Sequence, residues 1–175
     1  DAHVFEPRPA DAQRLAKADL VVVNGLHFEG WIERLVRSSG YRGPLVVASA
    51  GITPRRAGTG VDPHAWQSLV HAQRYVENIR AALVKAAPTQ AAAIDTRARA
   101  YTARLAALDA RARAAFDAIP REQRRVVSTH DAFGYLGDAY GVSFIAPRSW
   151  NTESEASAAG VAAVIRELRR HQGWV

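Results

Sequence analysis

The 175 residues contain no cysteine and no methionine. Without cysteine there is no disulfide, no thiolate metal ligand and no thiol nucleophile. Long apolar runs are missing too. Stretches such as residues 20–23 and 44–48 fall far short of the ~20 residues a membrane-spanning helix needs. The chain opens on Asp1 in what reads as a loop, with no secretory signal pattern. Short catalytic signatures such as GxSxG and HExxH are absent as well. What remains is ordinary globular composition, 48% hydrophobic and 23% charged, at a length suited to one domain or two small lobes. The net charge of +6 raises nucleic acid as a partner. The arginines, however, lie along helical stretches (Arg97, Arg99, Arg104, Arg111, Arg113), alternate with alanine and lack the interleaved aromatics of a stacking platform. They read as a solvated helix face, and no nucleic-acid partner is expected.

Apolar periodicity organises the chain. After Pro7 and Pro9, helical spacing runs over residues 10–18, and a β-branched strand at 19–24 then ends on Asn24-Gly25. Phe28, Trp31, Ile32, Leu35 and Val36 mark an amphipathic helix running to about residue 40. A strand at 44–49 follows. This alternation predicts a parallel sheet with covered faces. Residues 50–61, rich in Gly, Thr and Arg, read as a loop, and 66–86 as a helix. Pro88 restarts the chain in a favoured first-turn position. An apolar stripe including Ile94, Tyr101, Leu105, Leu108 and Ile119 then spans residues 89–119. That is a helix of roughly 45 Å, long enough to pack across two lobes. A second series follows: strand 125–129, helix 131–140, strand 142–146, and helix 157–171 between an N-capping Ser157 and Gly173. Trp174 and Val175 read as the start of a further strand.

Of six histidines, His3, His64 and His130 share a setting. Each lies at a strand-to-helix or loop-to-helix edge, where ligands gather in parallel α/β folds. Imidazole suits zinc and other transition metals. Each has an acidic neighbour, Asp1, Asp62 or Asp131, able to orient the ring; for Asp62 and Asp131 helix capping is the favoured reading. The three lie roughly sixty residues apart, unlike the short spacing of a zinc finger. His27, His71 and His171 read as non-ligands. Glu153 and Glu155 could offer oxygen, although Thr152 with Glu155 forms a capping-box pattern. Trp66, Phe133 and Tyr135 read as core packing.

Four phrases in order carry a resemblance: Asp-Ala-His-Val-Phe-Glu-Pro-Arg-Pro-Ala-Asp from residue 1, Leu-Val-Val-Val-Asn-Gly-Leu-His-Phe-Glu-Gly-Trp from 20, Asp-Pro-His-Ala-Trp-Gln from 62, and Ser-Thr-His-Asp-Ala-Phe-Gly-Tyr-Leu from 128. Together they resemble the cluster A-I, or zinc/manganese ABC solute-binding, family over essentially the whole chain. The resemblance implies an α/β fold of two lobes with parallel sheets flanked by helices, joined by one long α-helix. It divides the chain into an N-terminal lobe (1–87), a linker helix (88–120) and a C-terminal lobe (121–175). It implies a metal in the cleft held by His3, His64 and His130. A fourth, acidic ligand is expected beyond Val175, and the family's opening strand and helix before His3, so that a partial chain is expected.

The implied function is a periplasmic or extracytoplasmic receptor, with lipid anchoring an option, that hands a divalent metal ion to a membrane ABC permease. A monomer without enzymatic activity is expected. Three imidazoles with one carboxylate favour Zn2+ over Mn2+ on ligand softness. The histidine-rich loop of some zinc-specific members is absent: residues 53–61 hold no histidine and two arginines. The competing readings are an adhesin-like or structural metal-binding module and, behind it, a metal-dependent hydrolase.

Overall fold

A computed structural model of the chain describes residues 3–58, 60–128 and 130–146, together with positions 162, 165, 166 and 169. The capping-box residues Thr152 and Glu155, Glu153, His171 and the strand expected at 174–175 lie outside the described residues. The helix expected over 157–171 is described only at those four positions, all helical.

The chain begins with α1 (Pro9–Ala16), which carries proline in its first turn. Strand β1 (Val21–Val23), helix α2 (Ile32–Ser39) and strand β2 (Leu45–Val47) follow. The two strands pair in parallel, Val21 opposite Leu45 and Val23 opposite Val47. This is a βαβ unit, since parallel neighbours need a crossover. A second such unit lies late in the chain. Strand β5 (Arg125–Val127) pairs in parallel with β6 (Ser143–Ile145) across α5 (Gly134–Tyr140). Between the two units run α3 (Leu69–Ala86) and α4 (Ala91–Asp117), antiparallel neighbours joined through a short 3₁₀ turn begun by Pro88.

The long α4 contacts both halves, as its length predicts. Toward α3, Arg80 bonds Asp95 at 2.8 Å and Glu77 at 2.7 Å. Toward α5, Phe116 stacks on Tyr140 with ring centroids 5.3 Å apart. Asp109 accepts from the Tyr140 hydroxyl at 2.8 Å, and Arg113 donates to the Ala139 carbonyl at 3.1 Å.

The structure corrects four expectations. The 50–61 segment is not all loop: β3 (Arg56–Ala57) and β4 (Gly60–Val61) form a small antiparallel hairpin. Helix α2 starts at Ile32, not near Phe28, because Gly25, Leu26 and His27 all take left-handed backbone, φ 84°, 55° and 63°. Glu29 holds that turn by accepting from the backbone N–H of Asn24 (2.6 Å) and Gly25 (3.2 Å). Left-handed backbone at Leu26 and His27 costs roughly 1–2 kcal/mol each, which the carboxylate bonds offset. Helix α5 likewise starts at Gly134, after a turn in which Ala132 N–H bonds the His130 carbonyl at 3.0 Å. Finally, the sheet and the long stripe are only partly covered. Val22, Leu45 and Val47 on β1–β2 stay substantially exposed, as do Tyr101, Leu108 and Ile119. Each described sheet has two strands, and Leu105 is the buried residue of α4.

Two phenols, the buried Tyr140 and the half-buried Tyr75, tie the helices into place. The Tyr75 hydroxyl donates to Asn24 Oδ1 at 2.7 Å, and Tyr140 donates to Asp109. Burial pushes both up to about 12, and the Asp109 carboxylate adds to the rise at Tyr140. Because the folded values lie above the ordinary 10.0, this stability is complete below pH ~10 and is lost as pH rises toward ~12. The melting temperature should therefore fall across that window. Tyr140→Phe should melt lower at pH 8 and lose less between pH ~10 and ~12. An equal loss in the variant would contradict the assignment.

Candidate metal centre

The first strand ends in a junction built on Asn24. Its side-chain amide donates to the Pro63 carbonyl at 3.0 Å, while its oxygen receives Tyr75. Its backbone carbonyl accepts from Ser49 Oγ at 2.6 Å. Asn78 on α3 donates to the carbonyls of Ala48 (2.7 Å) and Ala50 (2.9 Å). These bonds fix the ends of β1 and β2 against α3 and hold the residue just before His64. Gly25 is required there. It is left-handed, and a Cβ would stand 2.4 Å from Val47 Cγ1 and 2.8 Å from Ser49 Oγ.

His64 follows the β3–β4 hairpin and caps a 3₁₀ turn over Ala65–Gln67. It is 5% exposed, and Asp62 beside it is 3% exposed. Asp62 Oδ1 accepts from the His64 backbone N–H at 3.0 Å and lies 2.8 Å from His64 Nδ1. A carboxylate only accepts, so the ring proton sits on Nδ1 and Nε2 presents a lone pair. The capping reading of Asp62 is not met, since the turn's N-cap is His64 and no side-chain cap bond is made there; Asp62 instead bonds the His64 backbone and sets the ring's tautomer and angle. The same reading fails for Asp131, because α5 begins three residues later at Gly134 and its N-cap, Phe133, makes no side-chain cap bond.

The structure brings the three sequence-predicted histidines together. His3 Nε2 lies 3.2 Å from His64 Nε2, and His130 Nε2 lies 3.3 Å from the same atom. One ring nitrogen from each falls within 4.8 Å of the others. His3 arrives from the segment before α1, His64 from the hairpin, and His130 from the loop after β5. Ser128 shapes that last loop, accepting from His130 N–H at 3.2 Å and donating to its carbonyl at 2.7 Å. Phe28 stands edge-on to His3 at 4.4 Å and to Trp66 at 4.9 Å, and Trp66 packs against His64 at 5.3 Å. Trp66 is therefore part of the wall of the site. Phe133 stacks on Phe144 at 5.2 Å, as core packing predicts.

A lone pair at the centre of two other imidazole nitrogens can accept one hydrogen bond, whereas a cation satisfies all three at once. Three nitrogens at ~2.0–2.1 Å around a tetrahedral ion stand roughly 3.3–3.4 Å apart, close to the two separations measured from His64 Nε2. The donor set therefore fits a divalent transition-metal ion. Burial, and then the neighbouring His64, hold His130 below the usual histidine range, which favours the neutral form that binds metal.

Several site residues escaped the sequence reading. Asn24 and Glu29 lay within a quoted phrase, but nothing marked their roles. Tyr135 was taken for core. Its hydroxyl donates to the Asp62 carbonyl at 3.1 Å and accepts from Arg55 N–H at 2.7 Å. Arg55 had no signal beyond its charge. His71 stays apart from the cluster, its ring edge-on to Tyr135 at 5.4 Å. His27 is exposed on the left-handed turn.

Known proteins resemble this chain along nearly its full length. A family model described as zinc-uptake complex component A, periplasmic, matches residues 1–174. The iron-binding protein YfeA of Yersinia pestis is 36% identical over 177 residues, covering 98% of this chain and 57% of that protein. The manganese-binding lipoprotein MntA of Halalkalibacterium halodurans is 32% identical over 166 residues, 94% of this chain and 55% of its own. Among solved structures, the periplasmic zinc binding protein TroA from Treponema pallidum superposes with a TM-score of 0.90 at 28% identity. It covers 98% of this chain and 63% of that one. The chain thus spans somewhat over half the length of these relatives, and its architecture is their two-lobe fold.

Asp62→Asn keeps the shape beside His64 but removes the charge that fixes the ring proton. Divalent-ion affinity should drop roughly 10- to 100-fold, as for other partners of ligating histidines. Competition with a metal-sensitive dye measures it; unchanged affinity would show that Asp62 only bonds the His64 backbone.

Proposed function

This chain belongs to the family of periplasmic zinc-uptake complex component A, and from that premise we propose that it is the metal-holding part of an extracytoplasmic receptor for an ABC importer. It captures a divalent transition metal as cargo and delivers it to a membrane permease; it performs no chemistry on it. The observation that carries this reading is the convergence of His3, His64 and His130 Nε2 atoms from three distant segments. The N-terminal lobe, residues 1–87, supplies His3 and His64. The C-terminal lobe, from residue 121, supplies His130. The helix between them, 88–120, fixes their separation. Three imidazoles leave a fourth position open, suited to a carboxylate oxygen.

The metal we propose is zinc, with manganese the alternative. The relatives are named for iron, manganese and zinc, so their names do not rank the metals. Soft, nitrogen-rich ligation does: imidazole suits zinc, iron and copper, whereas manganese prefers oxygen-rich shells. The aromatic wall of Phe28 and Trp66 also limits the water that a harder ion would keep. No helix among the described residues is long and apolar enough to cross a membrane; the periplasmic or surface location proposed here follows the family.

Titration of the chelator-stripped chain against a competing dye tests the reading. One tight zinc site is expected, weakened at least 10-fold in each of His3→Ala, His64→Ala and His130→Ala and unaffected in His71→Ala. Protons compete for the same lone pairs, so affinity should fall as pH drops from 7 toward 5. Binding that survives all three substitutions would refute the ligand set. Tighter manganese binding would overturn the metal. Unfolding on chelation would favour a structural ion over cargo.

A further inference from the structure

The two halves of the site meet at a second place, a few residues from the histidines. Arg55 precedes β3 and Asp62 follows β4, so the hairpin sets them side by side, with Asp62 N–H bonded to the Arg55 carbonyl at 2.8 Å. The Arg55 guanidinium then reaches in two directions. Nη1 lies 3.4 Å from Asp62 Oδ2, the carboxylate that holds His64. Nε donates to Asp138 Oδ2 on α5 at 2.9 Å. The backbone of Arg55 joins the same contact through the Tyr135 hydroxyl, which passes a hydrogen bond on to Asp62. Burial pushes the Tyr135 phenol up, so it keeps the proton it donates.

The fit leaves room for this arrangement at one position. Gly134 opens α5, and a Cβ there would lie 2.4–2.8 Å from Nη1, Cζ and Nε of Arg55. The guanidinium thus lies close against the backbone at the start of the helix that follows the His130 loop. Asp62 has 4% side-chain exposure, and Arg55 is the cation beside it. A charge so buried is costly to leave unpaired. The Asp138 contact is different, since its carboxylate is 68% exposed and such pairs contribute little.

We propose that Arg55 and Tyr135 form a latch between the half of the site that carries His64 and the half that carries His130, and that Arg55, as a positioning residue, governs how fast a bound divalent ion is released. Opening the site to let the ion go separates α5 from the hairpin. That movement must lift the Arg55 guanidinium off the start of α5, break its Asp138 bond and break the Tyr135 relay. The latch rests on the metal-receptor reading above but concerns residues that touch no metal.

The test is stopped-flow release of Zn2+ from the loaded chain into excess chelator. Arg55→Ala should release zinc roughly 10-fold faster, with a lower metal-free melting temperature because the buried Asp62 loses its guanidinium. Gly134→Ala should do nearly the same, because the added methyl displaces only the movable end of Arg55. Combining the two should add nothing, since both remove one contact. Asp138→Asn should have a small effect, and Arg55→Lys should restore part of the slow release. Should Arg55→Ala fail to fold, Gly134→Ala carries the comparison. Release unchanged in the variants, or effects that multiply in the double variant, would overturn the latch while leaving the receptor reading intact. A wild-type chain that binds no zinc would overturn both.

Discussion

The hydrogen bond from His64 to the Asp62 carboxylate decides what the centre can be. It places a proton on Nδ1 and so turns the Nε2 lone pair toward His3 and His130. With the opposite tautomer, the nitrogens of His3 and His130 would face an N–H donor, and His64 would have no lone pair to offer a cation. The surrounding structure serves that bond. The Asn24 junction holds Pro63, the hairpin positions Asp62 beside the neutralising Arg55, and Tyr135 anchors it from the other half of the chain. The carboxylate is buried and the ring nearly so, so the bond operates away from bulk water, where it is stronger and its loss more costly.

The fold supplies this geometry by dividing the work. Two βαβ units present their loops at the carboxyl ends of parallel strands, where ligand sites form in such folds. The first loop carries the left-handed turn at Gly25–His27, and the second carries His130. Helices α3 and α4 act as the spacer. The ion pair of Arg80 with Asp95 and the stacking of Phe116 on Tyr140 fix α4 to each side. A spacer of this kind sets the distance between ligands contributed by separate halves without itself entering the site.

The sequence made the ligands and the alternation of strands and helices legible, and it hid most of what orients them. His3, His64 and His130 stood out because each sat at the edge of a periodic segment within a recognisable phrase. Periodicity also located all four strands of the two parallel pairs. The partners of the ligands were hidden because their bonds cross long sequence distances: Arg55 to Asp138, Tyr135 to Asp62, Tyr75 to Asn24. No local pattern marks such pairs. Element starts failed where a polar side chain overrode propensity. Glu29 stabilises the left-handed turn just before the expected helix start, and a two-residue strand pair such as β3–β4 is too short to show alternation. The stripe on α4 was read correctly as apolar, but apolar spacing says nothing about how much of it a neighbour covers; α3 and α5 cover part.

X-ray absorption at the zinc edge of the zinc-loaded chain tests the central claim most directly. A shell of nitrogen and oxygen neighbours at ~2.0–2.1 Å, with the outer-shell scattering of three imidazole rings, is the predicted result, falling to two rings in His64→Ala. A shell of oxygen neighbours without imidazole scattering, or a spectrum unchanged by His64→Ala, would contradict it.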